Sequence, residues 1–161
     1  MSPMAPLAVV GRGCVLPGAH SPDALGELVF ARHQALTEAG ADRLRIDPSL
    51  VKGSGPDRAV SLMGGLVTGF SLDDTGLQVP RADLLALDPL FSWLCSAGRE
   101  ALVDAGFDEF DAVYVGAMNP EGFKETSNIA SVITDYLGFV PAPTMRIETA
   151  SSTGAALFVA G

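Results

Sequence analysis

The sequence predicts a mixed α/β fold. Three observations carry that expectation: short apolar runs of strand length, longer stretches with apolar residues every three to four positions, and glycines or prolines at the boundaries between them. Strands alternating with helices along a chain imply a sheet joined by right-handed crossovers. Neither an internal repeat nor a low-complexity tract interrupts the pattern.

Leu7-Ala8-Val9-Val10 is a continuous apolar run before Gly11-Arg12-Gly13, which predicts a buried strand ending in a glycine turn. Position 16 is Leu rather than a third glycine and Pro17 follows, so a dinucleotide-binding turn is rejected. Ser21-Pro22-Asp23 has the chemistry of a helix start: an N-cap hydroxyl, a proline at the first helical position and an acid near the positive end of the dipole. Leu25, Leu28, Val29, Arg32 and Leu36 continue at helical spacing, which predicts a helix of about four turns. Residues 38–58, rich in Gly, Asp, Pro and Ser, predict a long irregular connection. Ala59 to Leu72 contains Gly64, Gly65 and Gly69 among apolar residues and fits strand or helix equally.

A second helix is expected from Asp88-Pro89 to Gly106, with Leu90, Phe91, Leu94, Ala97, Ala101 and Leu102 on one face. Ala112 to Gly116 predicts a buried strand. Thr126 to Tyr136 predicts a helix with Ile129, Val132, Ile133 and Tyr136 on one side and Gly138 past its end. Met145 to Glu148 predicts another short strand.

With 161 residues the chain suffices for one domain, and 48% hydrophobic residues with a mean hydropathy of +0.32 argue against disorder. No apolar run approaches the roughly 18 residues of a membrane span, and the N-terminus lacks a basic leader, so a cytoplasmic protein without membrane contact is expected. A net charge of −9 with scattered basic residues argues against nucleic acid. Cys14 and Cys95 read as buried thiols, and His20 and His33 form no ligand pair, which argues against a metal site. His20 reads as a loop residue, and Arg99 with Glu100 as a solvated helix face.

The chemistry concentrates where the last strand meets Glu148-Thr149-Ala150-Ser151-Ser152-Thr153-Gly154. Small residues let the backbone turn sharply into a helix whose first N–H groups and dipole favour a developing anion. Such a junction suits a nucleophile and an oxyanion. Ser152 and Thr153 read as backbone-capping hydroxyls, and Glu148 and Thr149 as strand-end packing.

Glu148-Thr149-Ala150-Ser151-Ser152 resembles the ketosynthase and thiolase nucleophile stretch, in which cysteine stands where this chain has Ser151. Three further landmarks agree in order. Ala8-Val9-Val10-Gly11-Arg12-Gly13-Cys14, with Pro17-Gly18 and Ser21-Pro22-Asp23-Ala24-Leu25, resembles the ketosynthase opening. Leu87-Asp88-Pro89 with Ala101-Leu102-Val103-Asp104-Ala105-Gly106 resembles the following helix, and Asp111 to Gly116 the strand after it. Met118 to Arg146 is somewhat closer to sterol-carrier-type thiolases.

The resemblance to β-ketoacyl synthases of the thiolase superfamily implies a thiolase-like fold with α/β/α/β/α layers. Residues 1–161 would be its N-terminal segment, incomplete at the C-terminus. It implies acyl transfer and condensation in fatty-acid or polyketide biosynthesis, with Ser151 as the catalytic residue. The acyl donor would be a phosphopantetheine or coenzyme A thioester, presented by an acyl carrier protein or as acyl-CoA, with no resident cofactor. The acidic charge counts against the carrier protein, since like charges repel at long range. In that family the catalytic histidines lie downstream of the nucleophile, whereas this chain ends ten residues after Ser151.

Gly154 to Gly161 is wholly apolar, as expected of a helix in the centre of a larger protein. A complementary C-terminal ketosynthase-like polypeptide, in a homo- or heterodimer, is therefore the expected partner, and acyltransferase activity would need it. Serine at position 151 reads as a vestigial residue, an introduced replacement, or a true nucleophile dependent on a base. The alternative is an inactive partner subunit, similar to a chain-length factor, that shapes a dimer and substrate tunnel.

Overall fold

The computed structural model describes residues 6–107, 110–118 and 128–160. The chain divides into two units, one of Cys14–Ser71 and one of Met1–Gly13 with Leu72–Gly161.

In the Cys14–Ser71 unit, α1 spans Pro22–Phe30. Ser21 lies in extended backbone and its Oγ accepts from the Ala24 amide at 3.2 Å, while Pro22 occupies the first turn, as the sequence signature predicts. The helix is shorter than the apolar spacing implies. Arg32 adopts a left-handed backbone (φ 54°), and the His33 amide folds back onto the Leu28 carbonyl at 3.0 Å, closing the helix end. Leu36 consequently leaves the helix and opens β1 (Leu36–Glu38), which pairs antiparallel with β2 (Met63–Gly65), Leu36 opposite Gly65.

The Ala59–Leu72 stretch thus contains a strand. The 38–58 connection is not wholly irregular either. It contains α2 (Ala41–Leu44) and α3 (Pro48–Val51), the latter capped by Asp47, whose Oδ1 accepts from the Ser49 amide at 2.9 Å. Ala19, Ala39, Leu62 and Val67 are buried in this unit. His20 is a half-buried bend residue whose ring meets Phe70 edge-on at 5.6 Å, and its Nε2 is buried without a hydrogen-bond partner among the described residues. His33 is exposed.

The Leu72–Gly161 unit begins with α4 (Arg81–Ala86), which no sequence signal announced, and α5 (Pro89–Ala105). The second of these matches expectation at both ends. Asp88 Oδ1 accepts from the Leu90 amide at 2.9 Å, and Gly106 is left-handed (φ 69°) at the other end, where glycine carries no steric penalty. Phe91, Ser92 and Cys95 are its buried residues.

Arg99 is not part of a solvated face. Its guanidinium donates to the Thr75 carbonyl and, at 2.7 Å, to that of Asp73, and it pairs with the Asp73 carboxylate at 3.1 Å. Together with Arg81, which donates to the Leu72 carbonyl at 2.6 Å, it fastens residues 72–75 to the helices.

The Leu7–Val10 run is not a strand. Among the described residues no strand pairs with it, and Leu7, Val9 and Val10 are 60%, 68% and 57% exposed. Apolar, β-prone side chains form a strand only where another edge satisfies their backbone groups. The following glycines have a different role from a strand-ending turn: Gly11 and Gly13 press against the backbone of α5 at Ala101 and Ala97.

β3 (Val113–Gly116) and β4 (Thr144–Ile147) form a parallel pair, Val113 opposite Thr144 and Gly116 opposite Ile147. Between them in sequence is α6 (Ile129–Tyr136), with Gly138 left-handed (φ 73°) beyond it. The expected start of this helix at residues 126–127 falls outside the described residues. α6 packs on both strands and on α5. Ile129 and Ile133, 1% and 5% exposed, face inward, each stabilising the unit by about 1.5–3 kcal/mol. Thr134 Oγ1 donates to the Ala130 carbonyl at 2.8 Å and lies 2.8 Å from Thr144 Oγ1, tying α6 to β4.

Candidate functional site: the turn between β4 and the last helix

β4 ends at Ile147, and within five residues the chain becomes helical again. A 3₁₀ turn, Ala150–Ser152, leads into α7 (Thr153–Ala160). So sharp a reversal requires Ala150 in the left-handed region (φ 50°), a conformation that disfavours any residue bearing a β-carbon.

Side-chain hydroxyls brace the turn. Thr153, 8% exposed, accepts from the Thr149 amide at 3.0 Å and donates to the Ala150 carbonyl at 2.7 Å through the same Oγ1. Ser152 Oγ donates to the Thr149 carbonyl at 2.8 Å and lies 3.0 Å from Thr149 Oγ1. Ser152 and Thr153 bond the backbone, as the sequence suggests, but as braces across the turn rather than as caps on the first helical amides. Just upstream, Arg146 and Glu148 form an ion pair.

Ser151 is different. It is exposed at the tip of the turn, and no hydrogen bond engages its hydroxyl among the described residues. Three neighbouring hydroxyls are taken up by the turn, while this one faces solvent beside the start of α7. The amides of Ser152 and Thr153 bond to the carbonyls of Thr149 and Ala150, so they are less available to an oxyanion than the sequence suggested.

α7 sits directly on β3. A β-carbon on Gly116 would stand 2.6 Å from Leu157 Cδ1 and 2.8 Å from Thr153 Cγ2. Glycine at the end of β3 therefore sets how closely the helix approaches the sheet. Phe158 and Val159 on α7 are 63% and 75% exposed.

Both histidines of the chain lie in the Cys14–Ser71 unit, so the unit that carries Ser151 contains no imidazole. Cys95 is fully buried on α5, and burial pushes its thiol up to about 11 despite the opposing pull of Arg99. Cys14 is only half-buried. An open apolar cavity of about 380 Å³ is bordered by Val10, Gly11, Gly98, Leu102, Phe110 and Phe139, and Ser151 does not line it. Among the described residues there is no group of three or more metal-ligating side chains, and no helix long and apolar enough to cross a membrane.

Comparison with known proteins places these features. The mycoketide-CoA synthase of Mycobacterium tuberculosis is 29% identical over 172 aligned residues, which cover 92% of this chain and 4% of that protein. The acetyl-CoA acetyltransferase of Methanothermobacter thermautotrophicus is 38% identical over 63 residues, 38% of this chain and 16% of that one. The chain thus spans a small fraction of the length of the curated relatives it matches.

Among solved structures, the PfaC ketosynthase–chain length factor is 27% identical with a TM-score of 0.61, over 68% of this chain and 13% of that chain. The ketosynthase from module 6 of the bacillaene synthase of Bacillus subtilis 168, solved as a cysteine-to-serine mutant, superimposes with a TM-score of 0.69 at 23% identity. That match covers 95% of this chain and 29% of that chain, and it shows a shared fold. The described elements are accordingly the N-terminal part of a thiolase-like ketosynthase fold. The profile of the β-ketoacyl synthase N-terminal domain matches residues 4–160, and the chain belongs to that family.

Proposed function

We propose that this chain supplies the acyl-accepting turn of a ketosynthase-type condensing domain acting in polyketide biosynthesis, with Ser151 as the acceptor. One observation carries the reading: Ser151 alone in its turn presents an exposed, unengaged hydroxyl, at the head of a helix seated on a parallel strand pair. The mycoketide-CoA synthase and the pikromycin synthase component PikAII, among the similar proteins, support the polyketide setting by their names.

Ser151 Oγ attacks the carbonyl carbon of an acyl thioester. A C–O bond forms, the C–S bond breaks, the thiol of coenzyme A or a carrier's phosphopantetheine leaves, and the hydroxyl proton passes to a base and on to the thiolate. A serine hydroxyl is not ionised by a helix dipole alone, so the base is essential. With no histidine in its own unit, Ser151 takes that base from elsewhere in the molecule, by our reading a histidine of a complementary ketosynthase-like polypeptide in a dimer. Decarboxylation of a malonyl-type extender needs no nucleophile, so a serine variant retains that half of the chemistry.

Intact-mass measurement after incubation with an acyl-coenzyme A thioester tests the reading. The expected result is a single acyl adduct, located on the peptide holding Ser151 and absent from Ser151→Ala. No adduct with any acyl donor overturns it. That result favours the second reading, a chain-length-factor-like partner that shapes a dimer and substrate tunnel, supported by the similarity to the PfaC ketosynthase–chain length factor.

A further inference from the structure

We infer that Thr153 is a positioning residue for the side chain at 151. This rests on the reading of Ser151 as the acyl acceptor. Three contacts of one buried side chain carry the inference. Thr153 Oγ1 accepts from the Thr149 amide at 3.0 Å and donates to the Ala150 carbonyl at 2.7 Å, so a single oxygen ties the residue before the left-handed one to that residue's own carbonyl. Its Cγ2 rests against the α-carbon of Gly116, where a β-carbon would stand 2.8 Å away. The hydroxyl clamps the turn and the methyl anchors the clamp to the sheet.

Ala150 has no intrinsic reason to be left-handed, since its β-carbon resists that conformation. Without the clamp it relaxes toward negative φ, and the next side chain swings away from the start of α7. The residue at 151 is thus aimed by a partner two positions along, through the backbone. Ser152 cannot take over: among the described residues its hydroxyl bonds only to Thr149, which leaves Ala150 with the Thr153 backbone amide alone on its carbonyl.

The two groups of Thr153 separate by substitution. Thr153→Val keeps the branched shape and removes the clamp, while Thr153→Ser keeps the clamp and removes the methyl. The test uses the full-length protein carrying Ser151→Cys, in which the introduced thiol reports its own surroundings. Its alkylation by iodoacetamide is followed against pH by peptide mass spectrometry, with the melting temperature as a control for folding.

A thiol at a helix N-terminus is acidified by the amides and dipole there. Adding Thr153→Val is expected to raise the midpoint of the pH–rate curve by about half a unit and to slow alkylation at neutral pH about threefold. Thr153→Ser is expected to keep the parent midpoint. An unchanged midpoint in Thr153→Val overturns the inference, and so does an equal shift in Thr153→Ser. If Thr153→Val fails to fold, the Thr153→Ser and Thr153→Ala pair decides: a midpoint shared by those two overturns it. Alkylation requires no acyl donor, so this test can fail while acylation of Ser151 is observed, and the reverse.

Discussion

The backbone carbonyl oxygen of Ala97 lies 2.0 Å from the position that a β-carbon on Gly13 would occupy. The chain crosses α5 there so tightly that only a hydrogen fits. Gly11 repeats the contact one turn later, 2.1 Å from the Ala101 carbonyl, and the Arg12 amide between them bonds Asp104 at 2.9 Å.

Gly13→Ala is therefore expected to destabilise the protein by about 1–3 kcal/mol, because backbone cannot yield as a side chain can. Gly26, inside α1 with open space around it, is the control. Gly26→Ala should stabilise by about 0.5–1 kcal/mol. Urea unfolding of the two variants beside the parent measures both effects, and equal midpoints would contradict the close approach.

Gly116→Val places two methyl groups where Leu157 and Thr153 already sit. Displacement of α7 from β3 should cost about 1–3 kcal/mol in stability. Because Thr153 braces the turn, acyl labelling of Ser151 should fall by more than the stability loss explains. Labelling measured at a temperature where parent and variant are both fully folded separates the two.

Hydrogen bonds from the side chain and the backbone amide of Thr75 hold the Asp73 carboxyl below its ordinary value, with Arg99 adding to the effect. A carboxyl lowered in the folded state stabilises it at neutral pH, and that contribution is lost as pH falls through the carboxylate range. Asp73→Asn should thus lower the urea midpoint at pH 7, and the gap to the parent should begin to narrow as pH falls below about 4. A gap that does not narrow at all as pH falls below the ordinary carboxylate value would remove the carboxylate from the account.

Cys95 is wholly buried and its thiol is pushed up to about 11, so almost none of it is thiolate at neutral pH. It should resist a disulfide-exchange reagent in the folded protein and react promptly in denaturant. Following release of the reagent's chromophore at pH 8 from the Cys14→Ser variant, in which Cys95 is the one remaining thiol, with and without urea, checks this. Rapid reaction without urea would mean that α5 opens readily.

The elements legible in the sequence are those whose signals are local. The helix α5 was readable because Asp88, Pro89 and Gly106 fix its ends within a residue or two of where the backbone needs them. α1 stops at Phe30, short of its apolar spacing, because Leu36 keeps a helical spacing that the left-handed Arg32 interrupts.

Leu7–Val10 shows the limit of composition. An apolar run reports that it seeks burial, not whether a neighbouring edge exists to receive it. Arg99 shows another: its bonds reach carbonyls 24 and 26 residues back in the chain, beyond any spacing rule. At the site, small residues announced the junction and position 151. The division of labour among Thr149, Ser151, Ser152 and Thr153 emerged only from hydrogen-bond geometry.

Parallel pairing of β3 and β4 has a consequence for how such a site can diversify. Both strands release the chain at the same rim, one after Gly116 and the other after Ile147. Residues 117–118 thus emerge beside the segment that leads to Ser151 and carry no part of its hydroxyl lattice. Sequence drift or lengthening at that first exit can remould what approaches the hydroxyl while the bed beneath it stays still. The second exit has no such latitude, because three of its four hydroxyls are already committed to a neighbour.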